Sequence, residues 1–134
     1  MASYVVKAAL DSDSPAGLLS FDEKTMYRGK DVRPGDEVFV FASETQGGHG
    51  LCARGVVAAA RRGPGIRVAI DVRITALASR RFGRAELKSF RGLEDGRPET
   101  EIDWKFYRQA TNKIAGVSDA AAAFLGSFFS STRD

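Results

Sequence analysis

The sequence predicts an α+β fold: a small mixed, mostly antiparallel β-barrel with a few short helices and a helix at the C-terminus. Three observations carry this. Ile66, Val68, Ile70, Val72 and Ile74 alternate with Arg67, Ala69, Asp71, Arg73 and Thr75, and strict period two puts one face of a strand in a core and the other in solvent. Pro34-Gly35-Asp36 is a tight turn, because proline fixes φ and glycine permits the reversal. It launches Glu37–Ser43, apolar on both faces as a doubly covered strand requires. Finally, Ala120–Ala123 favours helix strongly, and the i,i+4 pairs Phe124/Phe128 and Leu125/Phe129 give that helix an aromatic side to lay on a barrel.

The remaining elements follow in order. Residues 3–10 read as a first strand, and Asp11-Ser12-Asp13-Ser14-Pro15 as a turn that cannot propagate it. Residues 21–31 mix Phe21, Met26 and Tyr27 with charges and read as a loop with a helical turn. After Glu37–Ser43, Gln46-Gly47-Gly48-His49-Gly50 is a loop. Leu51–Ala60 is a strand whose Gly55 marks a bend or a close backbone approach. Arg61-Arg62-Gly63-Pro64-Gly65 is a hairpin loop leading into Ile66–Ile74. Residues 83–90 read as a short helix, Gly92–Thr100 as a polar loop, and Ile102–Gln109 as a short helix or irregular turn. Ser118 or Asp119 is placed to cap the last helix by accepting from a free backbone N–H. No repeat, linker or low-complexity segment interrupts the 134 residues, so a single domain spanning 1–134 is expected.

Composition narrows the class of function. No apolar run approaches the roughly 20 residues of a membrane-spanning helix, and no membrane partner is expected. Met1-Ala2-Ser3-Tyr4-Val5-Val6-Lys7 enters a strand pattern directly, without the charged start and apolar stretch of a signal peptide, so a cytoplasmic location is the expectation. Cys52 and His49 are the only cysteine and histidine. That excludes an internal disulfide and a zinc site of cysteine and histidine ligands, and no cofactor is expected. A Cys52–His49 nucleophile and base pair needs hydrogen-bond reach, whereas Leu51-Cys52-Ala53 reads as core. Gly47-Gly48-His49-Gly50 lacks the Gly-Lys-Ser/Thr ending of a phosphate-binding loop. An enzyme is therefore not expected.

Charge is unevenly spread. Arg61, Arg62, Arg67, Arg73, Arg80, Arg81, Arg84, Lys88 and Arg91 face only Asp71 and Glu86 in the same stretch. Glu94, Asp95, Glu99, Glu101 and Asp103 follow, and Lys105–Lys113 is basic again through Lys105, Arg108 and Lys113. Such clusters make either a solvated surface or a face toward phosphates.

Three pieces, in this order, resemble the EVE domain, a branch of the PUA-like superfamily. They are Tyr4-Val5-Val6-Lys7; then Pro34-Gly35-Asp36 with Glu37–Ser43 and Gly50–Val57; then Tyr107-Arg108-Gln109 followed by Ile114-Ala115-Gly116-Val117-Ser118. Phe21–Gly29 departs from the family's tryptophan-rich loop and keeps only Tyr27 and Arg28 as faint likenesses. The resemblance implies a barrel of PUA-like type with a pocket for an extruded base, where stacking and hydrogen bonds to the base edge offset the cost of flipping. It implies Ser43 and Gln109 as edge-reading groups, Arg108 as a phosphate contact or base cap, Phe41, Trp104 and Tyr107 as stacking walls, and Asn112 and Lys113 as rim contacts. The implied partner is DNA or RNA, with a modified base as one candidate. An enzyme or binding protein for a nucleotide-like small molecule, and a protein-interaction module without a ligand, are the alternatives.

Overall fold

The computed structural model describes residues 2–10, 15–44, 47–80, 82–90, 95–107 and 112–129. Six strands, β1 (Ser3–Ala8), β2 (Leu18–Met26), β3 (Glu37–Ala42), β4 (Gly50–Arg62), β5 (Arg67–Leu77) and β6 (Lys113–Val117), close a barrel in the order β1-β3-β4-β5-β2-β6. β1 with β3 and β2 with β6 pair in parallel; the other four pairings are antiparallel. Three short helices accompany it: α1 (Arg84–Leu87), α2 (Pro98–Phe106) and α3 (Asp119–Gly126). The mixed, mostly antiparallel barrel with a C-terminal helix is thus as the sequence predicts.

Strand alternation divides the core into two layers. Tyr4, Val6, Ala8, Val38, Val40, Val68, Ile70, Val72 and Ile114 fill the barrel. Val5, Phe39, Phe41, Leu51 and Ala115 point outward from the same strands and meet Leu87, Ile102, Phe106, Leu125 and Phe128 of the helical segments. Glu37–Ala42 is apolar on both faces for this reason. Ser118 caps α3 as expected, its Oγ accepting from the Ala121 N–H at 3.1 Å. Gly55 makes the close approach expected of it: a Cβ there would stand 2.3 Å from the Arg73 carbonyl oxygen, where β4 shifts register against β5.

Four expectations are corrected. Residues 18–26 form a nine-residue strand, where a loop was expected from 21 onward. Pairing with β5 from Leu18↔Arg73 to Lys24↔Arg67 holds it, and only Phe21 and Thr25 of its inward face are fully buried. Residues 113–117, to which the sequence reading assigned no strand, form β6 and close the barrel between β1 and β2. α2 begins at Pro98, inside the expected polar loop; proline fits the first helical turn because its missing N–H is not needed there. Ile66 lies before β5 and is exposed, since the hairpin tip overshoots the barrel. The expected turn at Asp11–Ser14 and the loop residues Gln46 and Gly92–Glu94 lie outside the described residues.

Candidate nucleic-acid interface

The outer face of β6, β1 and β3 carries an unusual pair. Lys7 and Lys113 face one another in the β1–β6 register, Lys7 also stands opposite Phe41 across β1–β3, and both lysines are only 1% exposed. α2 ends above them. Lys7 Nζ donates to the Phe106 carbonyl at 2.6 Å, and Lys113 Nζ donates to the Lys105 carbonyl at 2.8 Å. Helix C-terminal carbonyls lack intrahelical donors and carry the negative end of the dipole, so they suit ammonium groups. The same ammonium groups lie against aromatic faces, Lys7 Nζ 4.6 Å from the Tyr107 ring centre and Lys113 Nζ 5.8 Å from that of Phe106.

The electrostatics of this corner are strained. Burial, then Lys113 and Arg84, pull the Lys7 pKa down to about 8, with Glu44 opposing. Burial lowers Lys113 as well. Tyr107 is pushed up, first by burial and then by the Glu44 carboxylate. Its hydroxyl is buried beside the Glu44 carboxylate, which it meets only loosely, short of good hydrogen-bond geometry, and that is costly for a polar group out of water. Glu44 is held in place by the Arg84 N–H at 2.8 Å.

Of the residues the sequence singled out, Phe41, Ser43, Tyr107 and Lys113 are all buried. Phe41 is core and not an open stacking wall: its ring lies parallel to Phe106 at 6.1 Å and edge-on to Tyr107 and Phe82. Lys113 is not a rim residue, because it sits beneath the end of α2. Asn112 is partly exposed, just before β6. Arg108 and Gln109 lie outside the described residues. Trp104 is elsewhere: it is two residues from Phe106 on α2 and so points to the opposite side, 45% exposed, with its ring 5.2 Å from Tyr27. The sequence reading missed Lys7, Glu44 and Arg84. The signal for Lys7 was its position within the continuous run Tyr4–Ala8, since such runs mark strands covered on both faces.

The Trp104 side opens on a groove of about 820 Å³ lined by Tyr4, Tyr27, Arg28, Trp104, Lys105 and Ser118 among others. Elsewhere two arginines of the basic cluster are paired with acids. Arg61 grips Asp71 through two nitrogens at 3.2 Å, and Arg67 bonds the Asp22 side chain and carbonyl. Cys52 is buried, its Sγ 3.5 Å from the Val40 carbonyl oxygen. Among the described residues no group of three His, Cys, Asp or Glu side chains is placed to hold a metal, and no helix is long and apolar enough to cross a membrane.

A closed mixed barrel with helices laid on the β6–β1–β3 face is the PUA-like architecture. Solved structures share it across almost the whole chain. The DUF55 domain of human thymocyte nuclear protein 1 superposes with a TM-score of 0.65 at 14% identity, over 93% of this chain and 96% of that one. Human THYN1 protein in complex with 5-methylcytosine-containing DNA gives 0.61 at 14% identity, over 95% and 96%. A protein from Pseudomonas syringae gives 0.62 at 18% identity, over 93% and 98%. No family model matches the chain, and no curated protein does. These likenesses are of fold: the chain has the PUA-like barrel seen in the DUF55 domain.

Proposed function

We propose that this protein is a non-catalytic nucleic-acid-binding module that takes a base, with a modified base as the leading candidate, at the corner formed by Lys7, Ser43, Tyr107 and Lys113. The observation that carries the reading is the buried, poorly satisfied Tyr107 hydroxyl beside two buried ammonium groups. Buried donors and positive potential suit the carbonyl and ring-nitrogen edge of a base, or a phosphate. The fold is also that of human THYN1 protein, which is seen bound to 5-methylcytosine-containing DNA. Arg108, Gln109 and Asn112 adjoin this corner in sequence and belong to the proposed contact set.

The test is fluorescence anisotropy with labelled oligonucleotides, with and without 5-methylcytosine, across a salt series. Binding should weaken as salt rises, because cations released from phosphates carry part of the affinity. Tyr107→Phe removes one hydroxyl from a site where it is poorly satisfied. It should leave thermal stability unchanged while weakening oligonucleotide binding several-fold. Salt-insensitive binding, or Tyr107→Phe binding like the wild type, would count against the reading.

A further inference from the structure

We infer that the groove beside Trp104 is a second nucleotide site, in which an unpaired base stacks on the Trp104–Tyr27 pair and its phosphate meets Arg28. The inference rests on the nucleic-acid reading above and extends it to the other end of β1.

The groove is built by an unusual piece of backbone. Tyr27 and Arg28 both have positive φ, 49° and 69°, a conformation that side-chain-bearing residues adopt at a cost of order 1 kcal/mol each. β6 holds them there. The Gly116 N–H donates to the Tyr27 carbonyl at 3.0 Å, and a Cβ on Gly116 would stand 2.6 Å from that oxygen. Gly29 packs as closely, with space for no Cβ against the Ile114 carbonyl. Strain maintained in this way marks a conformation that the surrounding structure enforces. Its result is a Tyr27 ring set against Trp104 and an Arg28 side chain that is 87% exposed.

The charges select the occupant. Glu101 is committed: Lys105 Nζ donates to its Oε2 at 3.0 Å, and the Ser118 N–H and hydroxyl donate to its two oxygens. Lys105 Nζ also donates to the Gly116 carbonyl and lies 5.1 Å from the Tyr27 ring centre, so the Tyr27 ring already has a cation of the protein's own. A second cation, as in a methylated amine, is disfavoured beside it. Arg28 remains at the rim, paired among the described residues with Asp31 at 3.7 Å, itself largely exposed. Asp119 lines the far end at the start of α3, where the helix dipole offsets its charge. An open aromatic platform with an exposed guanidinium at one edge matches a base and its phosphate, and about 820 Å³ accommodates a nucleotide.

Trp104 is the only tryptophan in the chain, so its emission reports on this groove alone. The experiment titrates the protein with a fluorescein-labelled single-stranded dodecathymidylate, reading anisotropy, and with the unlabelled strand, reading tryptophan emission. Quenching should saturate at the concentration where anisotropy does. Trp104→Ala should weaken binding about tenfold, the loss expected of one stacked base. Trp104→Phe, which keeps an aromatic face, should stay within about threefold. Arg28→Ala should reduce the slope of log affinity against log salt by about one phosphate contact. Anisotropy binding with unchanged emission and wild-type affinity in Trp104→Ala would overturn this inference and leave the Lys7–Tyr107 site standing. Absence of binding by both readouts, with every oligonucleotide including the 5-methylcytosine strand, would overturn both.

Discussion

Replacing Lys7 by methionine should make the protein no less stable at neutral pH, and this follows from one buried ammonium group. Its pKa falls from 10.5 to about 8 on folding, which corresponds to roughly 3 kcal/mol disfavouring the charged form in the folded state. Lys7→Met removes that term and also removes the bond to the Phe106 carbonyl, a loss of about 1–3 kcal/mol. The variant should therefore be between equal to and about 2 kcal/mol more stable than wild type at pH 7. The pH dependence is the sharper signature. Between pH 8 and 10.5 the folded state binds fewer protons at Lys7 than the unfolded state, so wild-type stability rises with pH across this window. From pH 7 to 9.5 the recovery from this group is about 2 kcal/mol. Stopping at 9.5 keeps clear of Tyr4 and Tyr107, both raised above 10. Urea denaturation of both proteins at half-unit pH steps reads this directly. The wild-type curve should rise by about 2 kcal/mol relative to the variant's between pH 7 and 9.5; parallel curves, or a variant several kcal/mol less stable at pH 7, would refute the reasoning. If the proposed function holds, the same variant binds oligonucleotide more weakly. A substitution that leaves folding intact and impairs binding is the behaviour of a residue kept for function at the expense of stability.

Three further outcomes are expected. Gly55→Ala forces a methyl group to within 2.3 Å of the Arg73 carbonyl and should cost about 1–3 kcal/mol, seen as a lower urea midpoint with an unchanged slope. Ser118→Ala removes the α3 cap and the hydroxyl donor to Glu101, while the backbone N–H at 118 still donates to Glu101. A drop of about 1 kcal/mol is expected in a thermal melt. The double variant Arg61→Ser with Asp71→Ser deletes a surface pair without changing net charge. It should alter stability by no more than about 1 kcal/mol and leave the salt dependence of oligonucleotide binding unchanged. A reduced slope would show that Arg61 contacts phosphate despite its partner.

The parts of the fold legible in the sequence were those whose burial is one-sided or complete. β5 shows clean alternation because its outer face is solvated and charged, and β3 shows an unbroken apolar run because barrel and helices cover it on both sides. β2 was hidden because its inward positions include Glu23 and Thr25, whose places in the sheet come from pairing with β5 and β6 rather than from hydrophobicity. β6 was hidden by Lys113 and Gly116: a lysine reads as a surface residue until a helix end is placed over it, and the glycine is needed for a contact with Tyr27 that is distant in sequence. α2 did leave a local signal, Pro98 followed by Glu99 and Glu101 in the first turn, which is the composition of a helix N-terminus. Of the proposed site, Ser43, Tyr107 and Lys113 were named through an ordered resemblance. The separation of Trp104 from Tyr107 depends on where α2 ends, and Tyr107 is the residue that closes it.

That helix end explains why two sites are possible on so small a barrel. Closing a six-stranded sheet leaves the β6–β1–β3 face needing cover, and α2 supplies it with Ile102 and Phe106. A helix that terminates over a sheet brings unsatisfied carbonyls with it. Here two lysines projecting from the sheet satisfy them, which places positive charge inside the molecule without a bonded carboxylate partner. The same turn of α2 faces the other way with Trp104. Lys105 joins the two sides: its carbonyl accepts from Lys113, while its own ammonium group reaches Glu101 and Gly116 beside the groove. The buried cations and the open aromatic platform are therefore two consequences of where one short helix stops.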